Sequence, residues 1–292
     1  MDTKKLLYVQ KIPMIPYSLE KYISKLLYPL YVQPKLDGFR CLSYYLEEKD
    51  EIIMRSLKGK QFENVNQFMS ILKPFFKKYP NFILDGELYF QGKSSHAVQH
   101  EMSQKNPNVS YIIFDVFDVE DPNEIFENRW KKIKDFFPKN SMNNIRIFVH
   151  ILPTILIKDQ KELEKMRENF IKNENMEGII VRIPNGLYEW NKRSKYILKS
   201  KNFYEDLFKI ISLNQCKGMC EGAALFQLQC LKDNKKTFWA NGTGTLNERR
   251  KIYKNSEKYI GKKVYVRYYL IDNETGCVSR NPIVLIEKGF YT

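Results

Sequence analysis

Three short stretches of the chain pair residue types able to act on a phosphate. In YVQPKLDGFR, residues 31–40, a lysine, an acid, a glycine and an arginine follow one another as Lys35, Asp37, Gly38 and Arg40. A neutral lysine amine is a nucleophile, and an arginine fork fits phosphate oxygens. In LDGELYF, residues 84–90, Asp85 and Glu87 fall on one face of a strand, because side chains alternate. In YILKSK, residues 196–201, Lys199 and Lys201 share a face with Ser200 on the other, and such lysines repel unless an anion sits between them. Each stretch also has an ordinary reading. The first is a hairpin whose Asp37-Gly38 turn uses glycine's positive φ, with Leu36 and Phe39 in its strands. The second is a solvent-facing strand edge, and the third an edge strand blunted by lysine. Only in combination do they point to chemistry.

The elements that must position these groups are read from apolar periodicity. Runs rich in β-branched and aromatic residues at 28–34, 39–46, 51–56, 81–90, 109–118, 145–153 and 177–184 predict strands. Phe126, Trp130, Ile133 and Phe137 recur on one helical face, as do Leu163, Met166 and Phe170. Pro74 predicts a helix broken or ended within 62–79. Several strands follow each other without a long crossover, which favours an α+β domain built on antiparallel sheets with flanking helices. Past residue 202 the texture changes to five short strands and one helix near 247–256, which suits a small all-β barrel of the OB type. The expected domains are therefore 1–202 and 203–292.

Lys plus Arg exceed Asp plus Glu by 48 − 34 = 14, a surplus that attracts polyanions, nucleic acid first. Five cysteines at irregular spacing, Cys41, Cys216, Cys220, Cys230 and Cys277, predict ordinary thiols in a reducing intracellular compartment rather than a disulfide framework. His96 and His100 lack a third ligand for a metal site. No run of about 20 apolar residues and no signal peptide are present, so neither membrane nor export is expected.

Taken in order, the stretches KLDGFR, MRS (54–56), LDGELY, IIFDVF, EGIIVR and LKSK resemble the nucleotidyltransferase motifs of the ATP-dependent DNA ligases, most of all the minimal two-domain viral ones. GTGTLNERRKIYKNSEKYIGKKVYVRYY resembles their barrel, and RNPIVLIEK their final, pyrophosphate-directed motif.

The resemblance implies that Lys35 attacks the α-phosphate of ATP, with Lys199, Lys201 and a bound Mg²⁺ or Mn²⁺ favouring its neutral form and binding the phosphate oxygens. It implies Glu177, with Glu87, at the metal, and Glu87 also at the ribose hydroxyls. Phe114 would stack on adenine, the backbone at Gln33 would read the base edge, and Asp37 would stand beside the metal or the attacking 3′-hydroxyl. Arg40 and Arg55 would take phosphates of AMP and of the nick, while Lys192, Arg193 and Lys195 would contact the DNA backbone. Arg280 and Lys288, on the last strand of the barrel, would reach the β- and γ-phosphates.

Two features depart from the pattern: Glu287-Lys288 stands where an apolar residue and arginine are usual, and NQCKGMCEGAALF (214–226) is too short for the long DNA-clamping hairpin of the small viral ligase. The implied protein is a monomeric DNA ligase sealing nicked duplex DNA. An RNA ligase and a non-catalytic nucleic-acid-binding protein are the rivals.

Overall fold

A computed structural model of the chain describes all residues except 1–2, 92, 94, 106, 138–147, 174–175, 202, 273 and 281. Contacts divide it into two units, Met1–Lys201 and Asn202–Thr292.

Among the described residues the first unit has ten strands: β1 Ile15–Ser18, β2 Leu30–Lys35, β3 Phe39–Leu46, β4 Glu51–Ser56, β5 Phe82–Tyr89, β6 Ser110–Asp118, β7 Val149–Ile151, β8 Ile155–Ile157, β9 Gly178–Arg182 and β10 Arg193–Lys201. They form two five-stranded sheets, ordered β1-β10-β9-β2-β8 and β4-β3-β5-β6-β7. Both are mixed rather than purely antiparallel, because β1 pairs parallel with β10 and β7 parallel with β6. Of the strand expected over 145–153, residues 145–147 lie outside the described residues, and within 148–153 the strand is β7.

The helices are α1 Thr3–Val9, α2 Asn66–Lys78, α3 Ser95–Met102, α4 Phe126–Phe136 and α5 Gln160–Glu168. Helix α4 sets Phe126, Trp130 and Ile133 against the second sheet, as its periodicity predicts. Helix α2 corrects the expectation of a break: it runs straight through Pro74. Pro74 is exposed, whereas Phe68, Leu72, Phe75 and Phe76 are buried. Four such side chains at roughly 2 kcal/mol each outweigh the roughly 3 kcal/mol a helical proline costs. Between the sheets lies an aromatic-rich cluster including Leu42, Ile83, Phe117, Tyr188 and Ile197, so the two inner faces meet.

The second unit has β11 Tyr204–Gln215, β12 Ala224–Gln229, β13 Thr237–Gly242, β14 Lys263–Tyr268, β15 Leu270–Ile271, β16 Val278–Arg280, β17 Ile283–Val284 and β18 Phe290–Tyr291, with helix α6 Leu246–Lys254 after β13. Strand order β11-β12-β13-β17-β14, with a further β11–β14 pairing, closes a ring around Phe208, Ile210, Phe226, Leu228, Val264 and Val266. Thr245 and Glu248 form a reciprocal capping box at the start of α6. The RNPIVLIEK run is not one strand: β17 is two residues long, and Lys288 lies in the 3₁₀ turn Ile286–Lys288.

The cysteines also depart from expectation. Cys216 is bonded to Cys220 and Cys230 to Cys277, leaving Cys41 as the buried free thiol. The Cys230–Cys277 pair is 47 residues apart in sequence with Cα atoms 4.5 Å apart, and it joins the end of β12 to the connection between β15 and β16, where the Leu231 amide also donates to the Gly276 carbonyl.

Candidate active site

A cavity of about 140 Å³ opens between the two sheets of the first unit. The first sheet supplies Lys35, Ile180, Arg182 and Ile197, and the second Arg40, Glu87 and Phe114. Strand alternation explains part of the set, since Ile180 and Arg182 share a face of β9, whereas the end of β2 brings Pro34, Lys35 and then Leu36 to the cavity in succession.

The Asp37-Gly38 connection is not a hairpin. It carries the chain from β2 in one sheet to β3 in the other. Gly38 is required for close approach rather than for positive φ, since a Cβ there would meet the Leu88 carbonyl oxygen at 2.2 Å. Its N–H donates to Glu87 Oε1 at 3.2 Å, tying the turn to the acid. Asp37 sits in this connection, partly buried.

At the end of β2, Lys35 donates to Glu177 Oε2 and to the Leu36 carbonyl. Lys201, at the end of β10, takes the other oxygen, Glu177 Oε1, at 2.5 Å. The anion placed among the lysines is therefore the protein's own carboxylate. Burial works to raise the Glu177 pKa, but the Lys35 and Lys201 ammonium groups prevail and hold it below the usual carboxylate value. Lys199 is lowered, first by burial and then by Lys201, Lys35 and Arg193. Glu87 is pushed up to about 7, chiefly by burial, with Lys35 and Arg40 opposing.

Phe114 occupies a β-bulge: Asp85 pairs with Asp115 and Gly86 with Ile113, leaving Phe114 unpaired. The bulge re-aims the ring into the cavity. The Arg40 and Arg182 guanidinium carbons lie 5.6 and 5.5 Å from its centre. Behind it, Asp115 is fully buried and takes Arg129 at 2.9 Å and Arg182 at 2.8 Å. Burial would raise Asp115, yet the two arginines keep it low. Arg182 Nε donates to Gln33 Oε1 at 3.1 Å, and Gln33 Nε2 donates to Thr154 Oγ1 at 2.9 Å. The Gln33 side chain is thus spent inside this network.

Sequence reasoning missed the N-terminal strand. Pro16 of β1 lines the cavity, and the segment before it holds both arginines: Arg40 Nη1 donates to the Met14 carbonyl at 2.7 Å and Arg55 Nη2 to the Lys11 carbonyl at 2.8 Å. No periodicity marks KIPMIPY, so nothing in its pattern announced this. Arg55, 4% exposed, lies outside the first cavity and lines a second one of about 660 Å³ with Lys58 and Ile12. It has no carboxylate partner among the described contacts, and burial lowers its pKa.

The remaining candidates are dispersed. Lys192 is paired with Glu189 at 2.8 Å, Arg193 donates to the Pro16 carbonyl at 3.0 Å, and Lys195 sits 5.9 Å from the Tyr22 ring. In the second unit, Lys288 pairs with Glu205 and packs over Tyr265, and the Arg280 side chain lies outside the described residues. Among the described residues no group of three or more His, Cys, Asp or Glu gathers. One or two carboxylates suit a magnesium-like cation, which keeps waters and shares substrate phosphates. Glu177, the more acidic of the two candidates, fits that part.

The family model described as the ATP dependent DNA ligase domain matches residues 13–201. The DNA ligase of Haemophilus influenzae is 28% identical over 208 residues, 70% of this chain and 75% of that protein. The DNA ligase of African swine fever virus is 28% identical over 214 residues, 71% of this chain, which spans about half of it at 49%. Among solved structures the chain is similar to Pmar-Lig, with TM-score 0.78 and 19% identity over 93% of this chain and 66% of that one. It is also similar to a Lig E DNA ligase, with TM-score 0.70 and 16% identity over 93% and 97%. The ATP complex of the bacteriophage T7 ligase gives 0.55 and 16% over 95% and 98%. At these identities the structural likeness is one of fold.

Proposed function

This chain belongs to the ATP-dependent DNA ligase family, and from that premise we propose that it seals 5′-phosphate/3′-hydroxyl nicks in duplex DNA, acting as a monomer. The observation that carries the reading is the convergence of Lys35, Glu177 and Lys201 beside a cavity lined by Arg40, Glu87 and Phe114.

In the first step Lys35 Nζ attacks the α-phosphorus of ATP, a P–N bond forms, and the P–O bond to pyrophosphate breaks. The AMP then passes to the 5′-phosphate of the nick, and the 3′-hydroxyl displaces it to close the strand. Lys201 and Lys199 stabilise charge on the α-phosphate oxygens. Phe114 stacks on the adenine, and the Gln33 backbone reads its edge. Glu87, with its raised pKa, is suited to hydrogen-bonding the ribose hydroxyls more than to a metal. Glu177 would hold Mg²⁺ or Mn²⁺, which when bound supplies charge neutralisation at the phosphates.

The first unit is the adenylation domain in this reading. The second is an OB-type barrel, supported by its closed strand order, and would bring Arg280 and Lys288 to the pyrophosphate. Lys288, engaged with Glu205, must exchange that partner to do so. Work on DNA implies an intracellular setting, and the paired cysteines argue against a strongly reducing one.

Incubation with α-labelled ATP tests the proposal. Wild type is expected to carry covalent AMP and Lys35→Ala none, and wild type should then seal a nicked DNA duplex. Sealing only of breaks with an RNA 3′ side would overturn it.

A further inference from the structure

Arg40 is gripped from three sides. Its Nε and Nη2 donate to Asp85 Oδ1 and Oδ2 at 2.9 and 2.6 Å, and its Nη1 to the Met14 carbonyl at 2.7 Å. A guanidinium has about five N–H groups, so roughly two remain to meet a ligand in the cavity that Arg40 lines. Asp85 is only 1% exposed, and its Oδ2 accepts a further bond from the Tyr188 hydroxyl at 2.5 Å. Tyr188 is buried in turn: Phe117 and Trp190 pack on its ring, and the Arg129 guanidinium lies 5.6 Å from its centre. The phenol therefore cannot follow Asp85 if the carboxylate swings.

From this geometry we propose that Tyr188 is a positioning residue, whose hydroxyl locks Asp85 and through it fixes the Arg40 guanidinium for a substrate phosphate. The physical need is plain. A phosphate entering the cavity competes with Asp85 for the same guanidinium, and a carboxylate free to rotate would be dragged along with it. A hydrogen bond from phenol to carboxylate is charge-assisted and strong in a buried setting. With Oδ2 held, Arg40 keeps its orientation and offers its outer N–H groups without reorganising.

The kinetic consequence rests on the ligase reading, and the test separates the two. Rates of lysyl-AMP formation and of sealing a pre-adenylated nick are measured for wild type, Tyr188→Phe, Arg40→Lys and the double variant. Tyr188→Phe is expected to slow the step that uses Arg40 about tenfold on its own and less than about twofold when Arg40 is already Lys. Full losses in both backgrounds would mean that the hydroxyl acts independently of Arg40, and would overturn the proposal. A second readout needs no turnover: hydrogen exchange of the Arg40 Nε–H, followed by NMR, should quicken about tenfold in Tyr188→Phe. Unchanged exchange overturns the proposal whether or not wild type makes lysyl-AMP, whereas a wild type that takes up no AMP defeats the ligase reading instead.

Discussion

Lys35 and Glu177 are tied twice, by the Glu177 amide donating to the Lys35 carbonyl at 3.1 Å and by the ion pair between their side chains. One backbone bond and one side-chain bond fix the same two residues, so the β2–β9 pairing places the nucleophile candidate and the metal-ligand candidate together.

Glu177→Gln removes the charge that Lys35 and Lys201 share. Because Glu177 titrates below its ordinary value of 4.5, its stabilising contribution is complete above that pH and is lost as pH falls through the lower native value. The wild type should unfold at higher denaturant than the variant at neutral pH, with the gap closing in acid. A gap that persists unchanged in acid would count against the ion pair as its source.

Glu87 has the opposite sign. Its native value near 7 stands above the ordinary 4.5, so the folded state binds the proton more tightly and stability falls as pH rises between the two. Glu87→Gln should therefore gain on wild type over that window, by up to about 3 kcal/mol. Thermal midpoints of both proteins across it provide the check.

Phe114→Ala deletes the ring that the bulge turns into the cavity. Loss of base stacking costs about 1–3 kcal/mol, so the KM for ATP in lysyl-AMP formation should rise at least about fivefold with the maximal rate less affected. An unchanged KM for ATP would count against stacking on this ring.

Binding to nicked duplex should fall steeply as salt rises. Replacing Arg193 and Lys195 by Ala should flatten the log–log slope by about 1 for each phosphate contact removed. Affinity level between low and moderate salt would refute the basic-surface reading.

Much of this site was legible because it sits on strands whose alternation shows in the residues. Asp85 and Glu87 share a face, and LKSK sends Lys199 and Lys201 to one side, as their spacing dictates. The re-aimed Phe114 was recognisable only by resemblance, since a bulge is set by what the neighbouring strand does. The carbonyls of Lys11 and Met14, the Tyr188 hydroxyl and the Arg129–Asp115–Arg182 network depend on contacts across long stretches of chain, and no local pattern encodes them. Pro74 misled because the cost of proline was visible locally and the burial that offsets it was not. The Cys230–Cys277 pair was hidden for the same reason, since its partners lie 47 residues apart, whereas Cys216 and Cys220 are only four apart and their spacing was simply not read as a pair.

Gly178 stands opposite Lys35 in the β2–β9 register, at φ +158°, where a Cβ would collide with the Ser200 carbonyl oxygen at 2.1 Å. That crowding works as an alignment peg. Deleting or inserting a single residue in GIIVR would invert the strand, sending Arg182 away from Asp115 and turning Ile179 and Val181 out of the core toward the cavity, even though composition and charge barely change. Length here is as constrained as chemistry, so natural variation should alter residues within this strand while leaving their count untouched.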